Sequence, residues 1–131
     1  MTLVVDASVA LRASGVANGF DELGAEQLIA PPLMWSEARS ALHELAWRGE
    51  VAAEDADATR QRLERCPVAR RAHPRLGPEA WRIADALGWA KTYDAEYVAL
   101  ALLVGGRVVT LDQRLRARAD RLGCVVAPHE L

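Results

Sequence analysis

Four acidic residues stand where a parallel sheet would bring carboxylates together. Asp6 follows a short apolar run directly, and Asp112 lies just after another, while Asp94 and Glu37 lie near the beginnings of helical segments. Converging carboxylates repel one another and have raised pKa values unless a cation is bound. Mg²⁺ and Mn²⁺ prefer oxygen ligands, and Mg²⁺ retains several waters, so a few carboxylates are enough to hold it. The pattern therefore predicts a Mg²⁺ or Mn²⁺ site.

Each of these residues also has an ordinary structural explanation. The three aspartates all stand at helix beginnings, where Asp is a preferred N-cap. Glu37 lies at the edge of the apolar face of its helix, where a solvated side chain is common. The three histidines are scattered along the chain and the two cysteines form no paired motif, which argues against a zinc site. Only the four carboxylates taken together favour the metal site.

Short apolar runs alternate with longer helical patterns, and these elements must position the carboxylates. The runs predict strands at 3–5, 28–29, 108–110 and 124–127, with one more short strand within 68–76. They are apolar throughout, which is typical of parallel strands covered on both faces. Helices are predicted from Pro32 to a stop at Gly49 and over 54–65, 79–90, 95–104 and 113–122. The stretch 12–27 is ambiguous and indicates a helix, a loop around Gly15–Gly19 and a short helix.

This order of elements predicts one α/β domain over residues 1–131, with a mainly parallel sheet. In such folds the ligand site lies beyond the carboxyl ends of the strands, at the point where the strand order reverses. The helix after Pro32 carries an apolar stripe that includes Ala41, and Trp47 falls nearly opposite it, as a residue on a partner surface would. In the helix over 79–90, Trp81 is expected to face inward.

Composition and charge exclude several classes of protein. The chain has 131 residues, of which 51% are hydrophobic and 26% charged, and its formal net charge is -2. It is thus neither disordered nor membrane-like, and it is not a bulk-basic protein that coats nucleic acid, although a local basic patch remains open. Cys66 and Cys124 are expected to be reduced thiols. With no signal peptide and no apolar stretch of about 20 residues, the sequence predicts a cytoplasmic protein.

Four segments carry a resemblance to a known family. LVVDAS at 3–8, WSEARSAL at 35–42, TYDAEYVALA at 92–101 and VVTLDQRL at 108–115 resemble the successive signatures of PIN domains. The short chain and its VVDAS opening are similar to the VapC toxins of bacterial toxin–antitoxin pairs. The resemblance implies a PIN-like three-layer α/β/α sandwich with a mainly parallel central sheet.

The resemblance also implies an activity and partners. The family's acidic set maps onto Asp6, Glu37, Asp94 and Asp112, as catalytic and metal-binding residues of a Mg²⁺- or Mn²⁺-dependent endoribonuclease. The implied products carry a 3′-hydroxyl and a 5′-phosphate. A VapB-like antitoxin that holds the enzyme inactive and a homodimer are implied as well.

Two hydroxyl residues are candidates for supporting roles. Thr110 matches a family hydroxyl beside the metal site, where it would position a water, although a strand-end or capping Thr explains it equally well. Ser8 would help to order the site, with capping after Asp6 as the simpler explanation.

An RNA substrate also needs a basic surface. Arg114, Arg118 and Arg121 share one face of the last helix beside Asp112. Arg12 and Arg39 lie one or two turns from Asp6 and Glu37, so they too are candidates for phosphate contacts. The alternative for each is a solvated arginine, because the chain uses 15 Arg and one Lys throughout.

Two rival functions stay open at this point. One is a catalytically inactive PIN-like interaction module, and the other is a related nuclease that acts on DNA. A phosphatase with an aspartyl nucleophile fits poorly, because it would need a second Asp where this chain has Ser8.

Overall fold

The computed structural model describes residues 1–24 and 26–131, in which a parallel sheet lies between helices. The strands are β1 Thr2–Val5, β2 Gln27–Ala30, β3 Ala69–Arg70, β4 Arg107–Val109 and β5 Val125–Val126. The helices are α1 Ala7–Ser14, α2 Leu33–Trp47, α3 Ala53–Glu64, α4 Leu76–Leu87, α5 Tyr93–Val104 and α6 Gln113–Arg118. Single 3₁₀ turns span Gly19–Leu23, Asp120–Leu122 and Pro128–Glu130.

The sheet has the strand order β3-β2-β1-β4-β5, and each neighbouring pair is parallel. Because crossovers between parallel strands are right-handed, α1, α2 and α3 cover one face, and α4, α5 and α6 cover the other. The packing agrees, since α1 contacts α2 and α3 while α4 packs against α5. The predicted three-layer α/β/α sandwich is therefore confirmed, with a sheet that is parallel throughout.

The strand order reverses between β1 and β4 at the middle of the sheet. Val5 pairs with Val109 there, and the backbone N–H of Asp6 donates to the carbonyl of Val109 at 3.3 Å. The carboxyl ends of these strands therefore meet, so that the residues following each strand share one edge. That is the position predicted for the site.

Burial of both sheet faces explains why apolar and polar residues do not alternate along the strands. Leu3, Val4, Val5, Val108 and Val109 are all 0% exposed, as strands with helices on both faces require. The apolar helix α5 is buried against β1, β4 and α4, as its sequence predicts. Helix α4 packs against α5.

Two expectations about tryptophans are wrong. Trp81 is 67% exposed, because the apolar face of α4 follows Leu76, Ala80 and Ile83, and Trp81 lies about 100° from Ala80. Helix α4 also ends earlier than predicted, at Gly88 with a φ of 71°, so Trp89 lies in the following loop. Ala41 is likewise exposed instead of lying in the buried stripe of α2.

The ambiguous stretch 12–27 contains the end of α1, which begins already at Ala7, and the 3₁₀ turn Gly19–Leu23. Ala25, which also falls in that stretch, lies outside the described residues. Across the two described ranges, no helix is both long and apolar enough to cross a membrane.

A close backbone contact makes one glycine critical for this sheet. A Cβ at Gly106 would lie 2.6 Å from the carbonyl oxygen of Thr2 on β1, whereas a Cβ at Gly77 would meet nothing within 4 Å. We expect Gly106→Ala to lower the free energy of unfolding by about 1–3 kcal/mol, as overpacking does. The matched Gly77→Ala should instead stabilise by up to about 1 kcal/mol. Urea denaturation of both variants checks this, and equal stabilities would contradict it.

Candidate active site

Asp6 occupies the meeting point of β1 and β4, and its carboxylate is bound on both oxygens. The side chain is 5% exposed. Its Oδ1 accepts hydrogen bonds from the Val9 backbone N–H at 3.0 Å and the Ser8 hydroxyl at 2.6 Å. Its Oδ2 accepts the hydroxyl of Thr110 at 2.5 Å. Asp6 is therefore the N-cap of α1 and, at the same time, a link to the end of β4.

Ser8 and Thr110 extend this network into the loop after β4. The Ser8 hydroxyl oxygen accepts from the Leu111 N–H at 3.1 Å, and the Thr110 hydroxyl oxygen accepts from the Asp112 N–H at 2.9 Å. Each hydroxyl thus donates to Asp6 and accepts from the loop that carries Asp112. The structure brings both predicted supporting residues to Asp6, where they fix its orientation.

Asp112 caps α6, as its ordinary structural explanation requires. Its Oδ1 accepts the N–H groups of Arg114 and Leu115 at 2.9 and 3.2 Å. The side chain is exposed. Because both capping bonds use Oδ1, capping leaves Oδ2 for a second task.

Glu37 is positioned from α2 by a contact with α5. Its Oε1 accepts the phenol O–H of Tyr97 at 2.5 Å. Glu37 is half-buried, whereas Tyr97 is only 1% exposed. This bond joins the two helical layers at the edge of the sheet where Asp6 lies.

Mutual repulsion shows which carboxylates are neighbours. Burial raises the pKa of Asp6, against the hydrogen bonds that lower it, and the charge of Asp94 raises it further. Partial burial raises the pKa of Glu37, where the hydrogen bond from Tyr97 opposes it and the charges of Asp94, Asp6 and Glu96 add to it. Three carboxylates, one directly after β1 and the others on α2 and α5, therefore share one electrostatic environment.

Asp94 connects this group to Asp112. The surrounding protein raises the pKa of Asp94, and the charge of Asp112 adds to this, whereas Arg118 and Arg114 lower it. All four predicted carboxylates are thus linked in one acidic cluster, made of Asp6, Glu37, Asp94 and Asp112. Arg114 and Arg118 lie close enough to this cluster to act on it.

The predicted arginines differ in their surroundings. The guanidinium of Arg118 lies 5.0 Å from the ring centre of Trp89, a cation–π contact that orients it. Arg39 instead pairs with Glu64 of α3 at 3.4 Å. Arg121 donates to a backbone carbonyl at the end of α4, at 2.7 Å. Arg114 and Arg118 therefore remain the best placed of this set for a phosphate beside the cluster.

A cleft of about 650 Å³ opens beside the acidic cluster. Its lining includes Thr110, Asp112, Arg12 and Gln113. The C-terminal turn also lines the cleft, and there Glu130 pairs with Arg116, which lowers the pKa of Glu130 to about 2. The exposed Arg12 thus faces space that a polyanion beside Asp112 would occupy.

The donor chemistry of the cluster suits a hard divalent ion. Within the described residues, no three or more His, Cys, Asp or Glu side chains are arranged as a preformed metal site. Mg²⁺ does not need one, because it retains several waters and is usually held by one or two carboxylates together with substrate phosphates. Burial first, and then the charge of Asp94, raise the pKa of Asp6, and a cation bound there would offset both effects.

Sequence reasoning missed three residues of this site. Glu96 and Tyr97 belong to the segment TYDAEY, two and three residues after Asp94. The available signal was the three-residue spacing of Tyr97, which places it on the same helical face as Asp94. Trp89, which orients Arg118, gave no signal, because it was assigned to a helix and lies in a loop.

Comparison with known proteins agrees with this architecture. A family model described as PIN domain matches residues 3–121. VapC ribonuclease Mb0985 of Mycobacterium bovis is 39% identical over 116 residues, covering 86% of this chain and 87% of that protein. Ribonuclease VapC9 of Mycobacterium tuberculosis matches with the same identity and coverage.

A solved structure has the same overall form. The crystal structure of PAE2754 from Pyrobaculum aerophilum superposes with a TM-score of 0.78 and 25% identity, over 99% of this chain and 94% of that one. The four sequence signatures, the strand order and these matches lead to one conclusion. The chain belongs to the PIN-domain family and, within it, to the VapC group.

Proposed function

We propose that the protein is the ribonuclease toxin of a VapB–VapC-type pair, and that it hydrolyses RNA phosphodiesters with Mg²⁺ or Mn²⁺. The observation that carries this is the acidic cluster at the meeting of β1 and β4, where Ser8 and Thr110 hold the buried Asp6 and Tyr97 holds Glu37. The curated relatives that match most of this chain are named as ribonucleases.

Asp6, Asp94, Asp112 and Glu37 would hold the cation. When bound, it neutralises charge that develops on the phosphate and makes the attacking water more acidic. Asp6 would be the central ligand, because its hydrogen bonds to Ser8, Thr110 and Val9 hold it in place.

Glu37 would direct the attacking water. Tyr97 engages its Oε1, so that Oε2 is the oxygen available to accept a hydrogen bond from water. Water adds to phosphorus and the bond to O3′ breaks, so the products are a 3′-hydroxyl and a 5′-phosphate. The raised pKa of Glu37 makes it a better proton acceptor than an ordinary carboxylate.

The arginines would position the strand. Arg114 and Arg118 lie beside Asp94, and Arg12 faces the cleft beside Asp112. Contacts of this kind orient RNA without reading its sequence. Neutralising the four carboxylates would change the formal net charge from -2 to +2, which favours a polyanion.

The proposal includes a VapB-like antitoxin, a homodimer and a cytoplasmic location. Two large aromatic side chains, Trp47 at 81% and Trp81 at 67% exposure, support protein partners. Cys66 and Cys124 are free thiols, which agrees with a reducing compartment.

Removing the central carboxylate tests the activity. We expect Asp6→Asn to lower cleavage of RNA by roughly 100-fold or more, a loss at the upper end of that for groups which support a metal. Asp55→Asn, at an exposed position of α3, is the matched control and should cleave like wild type. Gel assays with Mg²⁺, with chelator and with DNA follow the reaction. Full activity of Asp6→Asn or in chelator would refute the mechanism, and cleavage of DNA alone would indicate a DNA nuclease.

Binding of the metal should appear as an increase in the stability of the folded protein. At a Mn²⁺ concentration of 100 times Kd, the free energy of unfolding should rise by about 2.7 kcal/mol. Differential scanning fluorimetry with Mn²⁺ and with chelator measures this as Tm. An unchanged Tm in wild type would favour the inactive interaction module.

The metal-free protein should also show a pH signature. Because the folded pKa of Asp6 is raised, the folded state binds more protons between the unfolded and the folded pKa. Stability from this residue therefore falls as pH rises through that window, starting from about pH 4. The stability of Asp6→Asn relative to wild type should thus increase with pH in chelator. A difference independent of pH would contradict the raised pKa.

A salt titration tests the arginines. We expect Arg114→Ala to weaken RNA binding and to reduce the slope of log K against log salt by about 1, as loss of one phosphate contact does. Arg48→Ala is the control, because Arg48 follows α2 about 16 Å from Glu37 along the helix. Binding is measured by fluorescence anisotropy. Both variants carry Asp6→Asn as well, so that the RNA is not cleaved during the measurement. Equal slopes for the two variants would remove Arg114 from the interface.

A further inference from the structure

We propose that Tyr97 is a positioning residue of this site, whose buried phenol holds Glu37 in the orientation that the cation and the attacking water require. The inference rests on the proposed function and deepens it. The phenol of Tyr97, from the buried helix α5, lies against the carboxylate of Glu37, from α2 in the opposite helical layer.

The geometry assigns the phenol a fixed direction. Tyr97 is 1% exposed, and its O–H donates to Oε1 of Glu37, which lies 60 residues away in the chain. An ionised carboxylate only accepts hydrogen bonds, so the proton must lie on the phenol. The ring of Tyr97 is part of the hydrophobic core, so the phenol oxygen has little freedom to move.

Glu37 needs such a restraint. The negative charges of Asp94, Asp6 and Glu96 all act on it, and the side chain is only half-buried. Repulsion would favour rotamers of Glu37 that turn toward solvent. A charge-assisted hydrogen bond opposes this and leaves Oε2 as the available oxygen.

Helix α5 contributes to the site in two ways. Asp94 and Tyr97 are three residues apart and lie on neighbouring parts of one helical face. The same helix therefore supplies one carboxylate and orients another. Groups that orient metal ligands in this way typically contribute 10–100-fold to metal affinity or activity.

The test removes only the hydroxyl group. We expect Tyr97→Phe to weaken Mn²⁺ binding, measured by titration calorimetry, by about tenfold or more. On a mixed-sequence RNA oligonucleotide, kcat should fall to a similar extent while KM stays unchanged, because Tyr97 does not touch RNA. The Tm in chelator should stay close to that of wild type, since water can replace the phenol at the half-exposed Glu37.

Two controls separate positioning from packing. Tyr93→Phe alters an exposed tyrosine beside Asp94 on the same helix and should leave Mn²⁺ binding unchanged. In a Glu37→Gln background, Tyr97→Phe should cause no further loss of Mn²⁺ affinity, because the phenol acts through that carboxylate. Additive losses in this double-mutant cycle would overturn the proposal.

The outcomes distinguish this inference from the proposed function. Wild type that neither binds Mn²⁺ nor cleaves RNA would overturn both. Wild type that does both, with a Tyr97→Phe variant equal to it, would overturn only the role of Tyr97. Should Tyr97→Phe fail to fold, Glu37→Asp keeps the charge but is too short to keep the phenol bond. Wild-type Mn²⁺ affinity in that variant would equally overturn the proposal.

Discussion

The buried carboxylate of Asp6 is the constraint on which this site depends. Burying a charge without partners is costly, and here Val9, Ser8 and Thr110 offset the cost with hydrogen bonds. Two of these donors also bind the loop after β4, so the stabilisation of one charge fixes the place where Asp112 begins α6. The parallel pairing of β1 with β4 makes this possible, because it brings both strand ends to the same edge.

Much of the fold followed from local patterns, because parallel strands buried on both faces leave continuous apolar runs in the sequence. Helix faces were less certain. A phase error of one residue, about 100°, was enough to place Trp81 inward. The early end of α4 depends on the left-handed conformation of Gly88, which moves Trp89 into a loop where it meets Arg118. Such contacts depend on tertiary packing, which no periodicity encodes.

The candidate site, like the fold, could be predicted only in part. That acidic residues meet at one edge could be predicted, because strand ends and helix beginnings fix where backbones lie. The contacts between individual side chains could not be predicted, since the hydrogen bond between Tyr97 and Glu37 spans 60 residues and joins two helical layers. The ordinary and functional explanations of the aspartates also proved compatible. Asp6 and Asp112 do cap helices, and capping by Asp112 uses only one of its oxygens.

Helix α5 shows why this arrangement needs a well-packed core. Its middle is buried against β1 and β4, which makes the position of its first turn a consequence of core packing. That turn carries Asp94, and the next carries Tyr97, so a shift of the helix would move one carboxylate and release another. Interiors pack at near-crystalline density and resist such shifts. Packing of α5 against the sheet therefore holds Asp94 near Asp112 despite the repulsion between the two carboxylates. A cation held there, as proposed, would remove part of this repulsion and would require little rearrangement of the chain.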